Sequence, residues 1–237
     1  MKVLVINGSP KGEKSNTMNV TRAFLSGFPE DTQIETAELK SLDIRHCTGC
    51  YSCWGKTNGR CVINDDMQAL REKILAADII IESFPLYFFG MPSRLKAMTD
   101  RCLAFMMPYL GNVVEHRNIC FHELREKKLL EKKLVVISSC GYVDASAVYP
   151  ALLKQYDMIC GEGNYTAILC AQGELFISEN AKRQKDGYLA DIKKAGKEFA
   201  ENLSLSEETK QRISKPILSP KGFETITSAH WEHLNKK

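Results

Sequence analysis

Ten residues, Gly8–Thr17 (Gly-Ser-Pro-Lys-Gly-Glu-Lys-Ser-Asn-Thr), lie between two runs of different periodicity. Before them, Lys2–Asn7 is short, apolar and β-branched, the pattern of a parallel strand buried on both faces. After them, Val20, Ala23, Phe24, Gly27 and Phe28 fall on one helical face. A small, hydroxyl-rich loop between strand and helix is an anion site by construction. The first N–H groups of the helix have no partner, and its dipole favours negative charge there. Ser9, Ser15, Asn16 and Thr17 add side-chain donors, and Lys11 or Lys14 adds charge. The expected ligand carries a phosphate.

Two common phosphate loops are excluded. A Walker loop counted from Gly8 needs glycine at 13, where this chain has Glu13, and an acid there opposes a triphosphate. A Gly-x-Gly-x-x-Gly fingerprint fails at Pro10. A pocket for one terminal phosphate is left. At these residues the chain resembles the flavodoxin-like, NADPH-dependent FMN reductases, whose first loop reads Gly-Ser-Pro-Arg/Lys, a spacer, then Ser/Asn-Thr.

The 237 residues, 44% hydrophobic, suffice for one well-buried domain with appendages. A net charge of +3 with interspersed signs does not suggest nucleic acid. The densest basic stretch, Arg125–Lys133, alternates with Glu and Leu as a solvated helix face does. No apolar run reaches membrane-spanning length and the chain enters a strand at once, so a cytoplasmic location is expected. In such a reducing compartment, nine cysteines read as core residues or ligands instead of disulfides.

Four of them are patterned: Cys47, Cys50, Cys53 and Cys61, spaced C-x2-C-x2-C-x7-C after a second strand at Gln33–Leu39. One loop presenting three thiolates, closed by a fourth, suits the separate irons of a cubane. Structural zinc more often takes two separated pairs. The spacing resembles that of the iron-sulfur flavoproteins, which implies a [4Fe–4S] cluster. Clusterless FMN reductase relatives also carry a Cys-rich loop before an Asp-Asp helix start, as at Asp65-Asp66 here. Cluster, zinc and free thiols are therefore all open readings, and Trp54–Lys56 would pack the loop over a flavin or onto a partner.

A helix from Asp65 should bury Met67, Leu70, Ile74 and Leu75. The third strand opens at Asp78 and runs into Ser83–Pro92, at a sheet position where open α/β folds bind ligands. Leu86, Tyr87 and Phe88 offer an apolar platform for a flavin ring, with Pro85 and Gly90 shaping the backbone; Phe89 reads equally as core packing. The resemblance extends to Leu95-Lys-Ala-Met-Thr-Asp100-Arg101, whose last two residues are expected to fix helix packing. Phe84 departs from the hydroxyl usual before that proline. The connection 107–133 holds His116 and His122, to which no role is assigned. Leu134–Cys140 is a fourth strand, and by resemblance Ser139, Cys140, Gly141 and Tyr142 meet the other edge of the flavin. A helix with Val148, Leu152 and Tyr156 in phase follows, then a fifth strand at 164–171. A last helix carries the stripe Leu189, Ile192, Gly196, Phe199 and Leu203.

The expected fold is a three-layer, flavodoxin-like, five-stranded parallel sheet of order 2-1-3-4-5 with the cysteine loop inserted after strand 2. Residues 1–203 form the domain, and 204–237 a peripheral or subunit-contacting tail. The resemblance implies an FMN-dependent NAD(P)H oxidoreductase, with a quinone, another flavin, a nitro or azo compound or a protein as acceptor. It also implies a homodimer or homotetramer. No side chain is assigned as a catalytic acid or base. A carrier fed by a ferredoxin-like partner is the second reading, and a nucleotide-phosphate binder the third.

Overall fold

The structure, a computed structural model, describes residues 1–108 and 122–235. His116 lies outside the described residues. Five strands, β1 (Lys2–Asn7), β2 (Gln33–Glu38), β3 (Ile79–Pro85), β4 (Lys133–Ser139) and β5 (Tyr165–Cys170), form one sheet of order β2-β1-β3-β4-β5. Every neighbouring pair is parallel. Seven α-helices are described: α1 (Asn16–Leu25), α2 (Met67–Ala76), α3 (Ser93–Arg101), α4 (Pro150–Cys160), α5 (Lys182–Asn202), α6 (Glu207–Ile213) and α7 (Pro220–Asn235). The expected architecture is the observed one, and residues 39–66, which carry the four patterned cysteines, join β2 to α2.

The two faces of the sheet follow from side-chain alternation. Val3 and Val5 of β1 join Val20 and Phe24 of α1 and Ile192, Ala195 and Phe199 of α5. Leu4 and Ile6 point the other way, among Leu70 and Ile74 of α2, Leu95 and Met98 of α3, and Leu152 and Tyr156 of α4. Leu203, expected in the α5 stripe, instead caps that helix at φ 54° and is exposed. The apolar contact passes to Leu205.

Helices α1 and α5 approach closely because two glycines face their contact. A Cβ on Gly196 would stand 1.8 Å from the Phe24 carbonyl oxygen, and one on Gly27 2.2 Å from that of Lys193. Phe24, Phe28 and Phe199 fill the space beside them, with ring centroids 5.4–6.3 Å apart. Residues 204–235 are more than a loose tail. They add α6 and α7 and bury Leu205, Ile213 and Phe223. Buried Gln172, left-handed at φ 60°, donates through Nε2 to the Leu218 carbonyl at 2.9 Å and accepts the Leu218 N–H at 2.8 Å. The amide thus latches the segment before α7 to the end of β5.

Glu82 of β3 is a charge-bearing side chain sunk in the middle of the sheet, where it accepts the Tyr156 hydroxyl. Burial pushes its carboxyl above the ordinary range, against the opposing pull of that bond.

Two outcomes are expected. Gly196→Ala should lower the unfolding free energy by about 1–3 kcal/mol or more, seen as a lower denaturant midpoint at unchanged slope, because the α1–α5 contact is overpacked. Glu82→Gln tests the buried acid. The Glu82 contribution to stability is fully present below its unfolded value and is lost as pH rises through its raised folded value. Melting curves of the Glu82→Gln variant should therefore gain on wild type from acid to alkaline pH, and parallel curves would contradict this.

Candidate functional site

At the carboxyl ends of three strands buried polar residues replace the apolar ones: Asn7 on β1, Ser83 on β3, and Ser138 and Ser139 on β4. Helix α1 meets them with Thr17 and Thr21, both fully buried. Thr17 Oγ1 and Ser139 Oγ are 2.6 Å apart, Thr21 Oγ1 and Ser83 Oγ 2.7 Å, and Thr21 also donates to the Thr17 carbonyl at 3.2 Å. Tyr149 donates to Ser138 Oγ at 3.0 Å. This seam holds the first turns of α1 against the carboxyl ends of β4 and β3, beside the loop that leaves β1 at the switch point.

The loop 8–15 is folded by its own polar atoms. Asn7 Oδ1 accepts the Ser9 N–H at 3.0 Å, and Ser9 Oγ accepts the Lys11 N–H at 3.2 Å. Ser15 is the N-cap of α1, accepting the Met18 N–H at 3.2 Å. Ser9 and Ser15 are buried, Asn16 is half-buried and Lys11 is exposed. Gly12, at φ +57°, passes against Glu38, where a Cβ would fall 2.6 Å from Oε2. Glu38 also accepts from Asn7 Nδ2 at 2.8 Å, and burial, ahead of the repulsion from Glu13, raises its carboxyl. One side of the loop therefore holds the carboxylates of Glu13 and Glu38 with Arg22 and Lys40 beside them. The donors are on the other, at Ser15, Asn16 and the α1 terminus.

The aromatic turn adjoins this loop through Ser139. The Ser139 carbonyl accepts the Leu86 N–H at 2.8 Å, while its hydroxyl holds Thr17. Pro85 and Leu86 are half-buried. Tyr87 and Gly90 exchange backbone hydrogen bonds of 3.1 and 2.9 Å, with Phe88 and Phe89 between them at φ 49° and 64°. Two successive left-handed residues give the turn its type I′ character, costly for side chains as bulky as phenylalanine. Phe88 is 100% exposed, meeting the Phe89 ring edge-on at a centroid distance of 6.4 Å. Phe89 stacks on Tyr142, with centroids 6.0 Å apart and planes at 29°. Of the β4 loop, Gly141 and Tyr142 are exposed, whereas Cys140 is buried with its N–H on the Cys170 carbonyl at 3.0 Å. Cys170 is a core residue, its thiol pushed up to about 12 by burial. The structure thus brings together Ser9, Ser15, Thr17, Leu86, Tyr87, Ser139 and Tyr142, turns Cys140 inward and leaves Phe88 bare. Phe89 is the addition that sequence spacing does not single out, because its partner is 53 positions away.

The cysteine loop runs along α3. At its start, Arg94 donates to the Leu39 and Leu42 carbonyls at 3.3 and 3.2 Å. At its far end, Arg101 forms a buried ion pair with Asp65, whose oxygens lie 2.8 and 3.0 Å from its two terminal nitrogens. Burial would raise Asp65, but the bonds from Arg101 and from the Arg45 and Met67 N–H groups outweigh it and hold its carboxyl low. Trp54 donates to the Leu103 carbonyl at 3.1 Å and packs on His122, so it lies against the end of α3 and not over the aromatic turn. Cys50 is exposed, and Cys47, Cys53 and Cys61 are half-buried. Cys53 is raised first by burial and then by its neighbours Cys61, Cys47 and Cys50. Among the described residues no three His, Cys, Asp or Glu side chains converge as a single metal ion requires. Four thiol donors supplied by one loop match the ligand set of a cubane, which takes one cysteine per iron.

A family described as having the flavodoxin-like fold matches residues 1–167. The chain belongs to it. Among curated relatives, it is 37% identical over 101 residues to an iron-sulfur flavoprotein of Methanocaldococcus jannaschii, covering 43% of this chain and 51% of that one. It is 28% identical over 107 residues to an FMN-dependent NADH:quinone oxidoreductase of Pseudoalteromonas atlantica, covering 42% and 53%. The match spans about half the length of the curated relatives. Among solved structures, an FMN-dependent NADH-azoreductase from Bacillus anthracis, in complex with FMN, superposes with TM-score 0.57 over 84% of this chain and all of that one, at 18% identity. That likeness is one of fold. No helix among the described residues is long and apolar enough to cross a membrane.

Asp65→Asn should cost about 3–5 kcal/mol at neutral pH, because it leaves the buried Arg101 cation without its counter-charge. The Asp65 contribution is present above its unfolded value and is lost as pH falls through its depressed folded value. Chemical denaturation of the variant and wild type should therefore converge in acid.

Proposed function

We propose that this chain is an FMN-dependent oxidoreductase that draws electrons from NAD(P)H and delivers them to a quinone, flavin, nitro or azo compound or protein. The observation that carries the reading is the meeting of three loops at the β1/β3 switch point. The capped α1 terminus, the aromatic turn and the β4 loop are joined there through Ser139. Both classes of curated relative are flavin proteins by name, which supports the same cofactor.

The donor set suits FMN. Ser15 accepts the Met18 N–H, so its own proton is left to donate to a phosphate oxygen beside the α1 terminus. Asn16 adds an amide. Thr17 contributes through its backbone N–H, since its hydroxyl is held by Ser139. Leu86, Tyr87 and the Phe89–Tyr142 pair supply an apolar wall for a planar ring and restrict water at its edge. FMN supplies the hydride and electron chemistry when bound, so the chain needs no acid or base of its own. Residues 1–203 hold this site, and we propose a homodimer or homotetramer in which the exposed aromatic turn is covered.

A second reading has its own support. The neighbouring Cys47, Cys50, Cys53 and Cys61, with the 37% identical iron-sulfur flavoprotein, favour a [4Fe–4S] cluster in the loop and electron transfer with a ferredoxin-like partner.

Fluorescence titration with FMN tests the phosphate assignment. Ser15→Gly keeps most of the cap's stability but removes the donor. It should weaken FMN binding by about 1–3 kcal/mol, and an unchanged dissociation constant would refute the loop assignment.

A further inference from the structure

Arg101 closes the last turn of α3, and its side chain is 1% exposed. Its Nη1 donates to the Arg45 carbonyl at 2.8 Å and its Nη2 approaches the Ile63 carbonyl at 3.4 Å. Arg45 stands two residues before Cys47, and Ile63 two after Cys61. One guanidinium therefore grips both ends of the segment that contains all four patterned cysteines. Asp65, itself fully buried, fixes the plane of that guanidinium through two oxygens and ties the same segment to α2 by accepting the Arg45 and Met67 N–H groups at 3.0 and 3.2 Å. The Nε–H is buried with no partner, and Cys61 lies beside the guanidinium. The buried guanidinium that holds the loop ends therefore also adjoins one of the patterned thiols.

We propose that Arg101 is the positioning residue of the cysteine loop: it fixes both loop ends against α3 and sets a buried positive charge beside the Cys61 corner of a bound [4Fe–4S] cluster. The assignment rests on the iron-sulfur reading above and deepens it. Such outer partners orient ligands, and the charge and hydrogen bonds around the sulfurs set a cluster's potential. The guanidinium is the member of the Arg101–Asp65 pair that adjoins Cys61, and its positive end there favours the reduced, more negative state. Lysine cannot replace it fully, because one ammonium does not fork to Asp65, Arg45 and Ile63 together. Helix α3 also makes the geometry rigid: its nine residues, about 13 Å of helix, run from the aromatic turn to Arg101.

The test uses the full-length protein, loaded with FMN and reconstituted anaerobically with iron and sulfide. Wild type, Arg101→Lys and Arg101→Met are compared by FMN per chain, iron retained against a chelator, and the cluster's midpoint potential from an EPR-monitored titration. FMN content reports folding. The expected result is near wild-type FMN in Arg101→Lys with iron retention about ten-fold lower. In Arg101→Met the remaining cluster should have a more negative potential, which a merely structural loss would not produce. Should Arg101→Met not fold, the iron retention and potential of Arg101→Lys decide alone. Variants that bind FMN and show the wild-type iron retention and potential overturn the role of Arg101 and leave the cluster reading standing. Wild type that binds FMN but takes up no iron overturns both.

Discussion

The position of α1 against the sheet is the constraint on which the rest depends. Two hydroxyl pairs, Thr17–Ser139 and Thr21–Ser83, hold its first turns to the carboxyl ends of β4 and β3. Gly27 and Gly196 let its far end press on α5 at a distance no other residue allows. Each hydroxyl pair is buried and satisfied, so it adds specificity without an unpaired polar group. Displacing α1 would also break the bond that connects its first turn to the end of β4, and with it the shared edge of the aromatic turn.

The same sheet end gathers less regular pieces. The turn at Tyr87–Gly90 keeps two phenylalanines in left-handed backbone, a local strain of the kind that persists at binding sites because surrounding contacts over-determine it. Gln172, also left-handed, holds the α7 approach and bonds its N–H to the Tyr142 carbonyl at 2.9 Å. The C-terminal segment is thereby coupled to the loop that carries Tyr142. Helix α3 connects this end to the cysteine loop, with the aromatic turn before it and the Arg101–Asp65 pair at its close.

Much of this is legible in the sequence because local periodicity encodes it. The β-branched runs mark the five strands, the hydroxyl-rich loop marks the switch point, and the apolar spacings of 67–74 and 189–199 place their helices on the correct faces. Arg101 reads as a packing residue, and it does clamp the fold, but its grip on Arg45 and Ile63 depends on contacts across 56 and 38 positions that no spacing rule reports. The apolar stripe stops short of Leu203 because the helix ends one residue earlier, in a left-handed cap. The tail reads as peripheral for its prolines and few apolar residues. Several of those few, Leu205, Ile213 and Phe223, are buried. The Phe89–Tyr142 stack is invisible for the same reason as the grip of Arg101: its partners meet only after β3 and β4 are paired.

The central claim is the proposal that the β1/β3 switch point holds a flavin, with a cluster in the loop after β2 as the second reading. The most direct measurement is the absorbance spectrum of the anaerobically purified protein, with iron and sulfide analysis on the same sample. The account predicts flavin bands, overlaid by a broad absorbance with about four irons per chain when the cysteine loop carries its cluster. A protein without flavin bands, and with none retained after FMN is added and the excess removed, would contradict it.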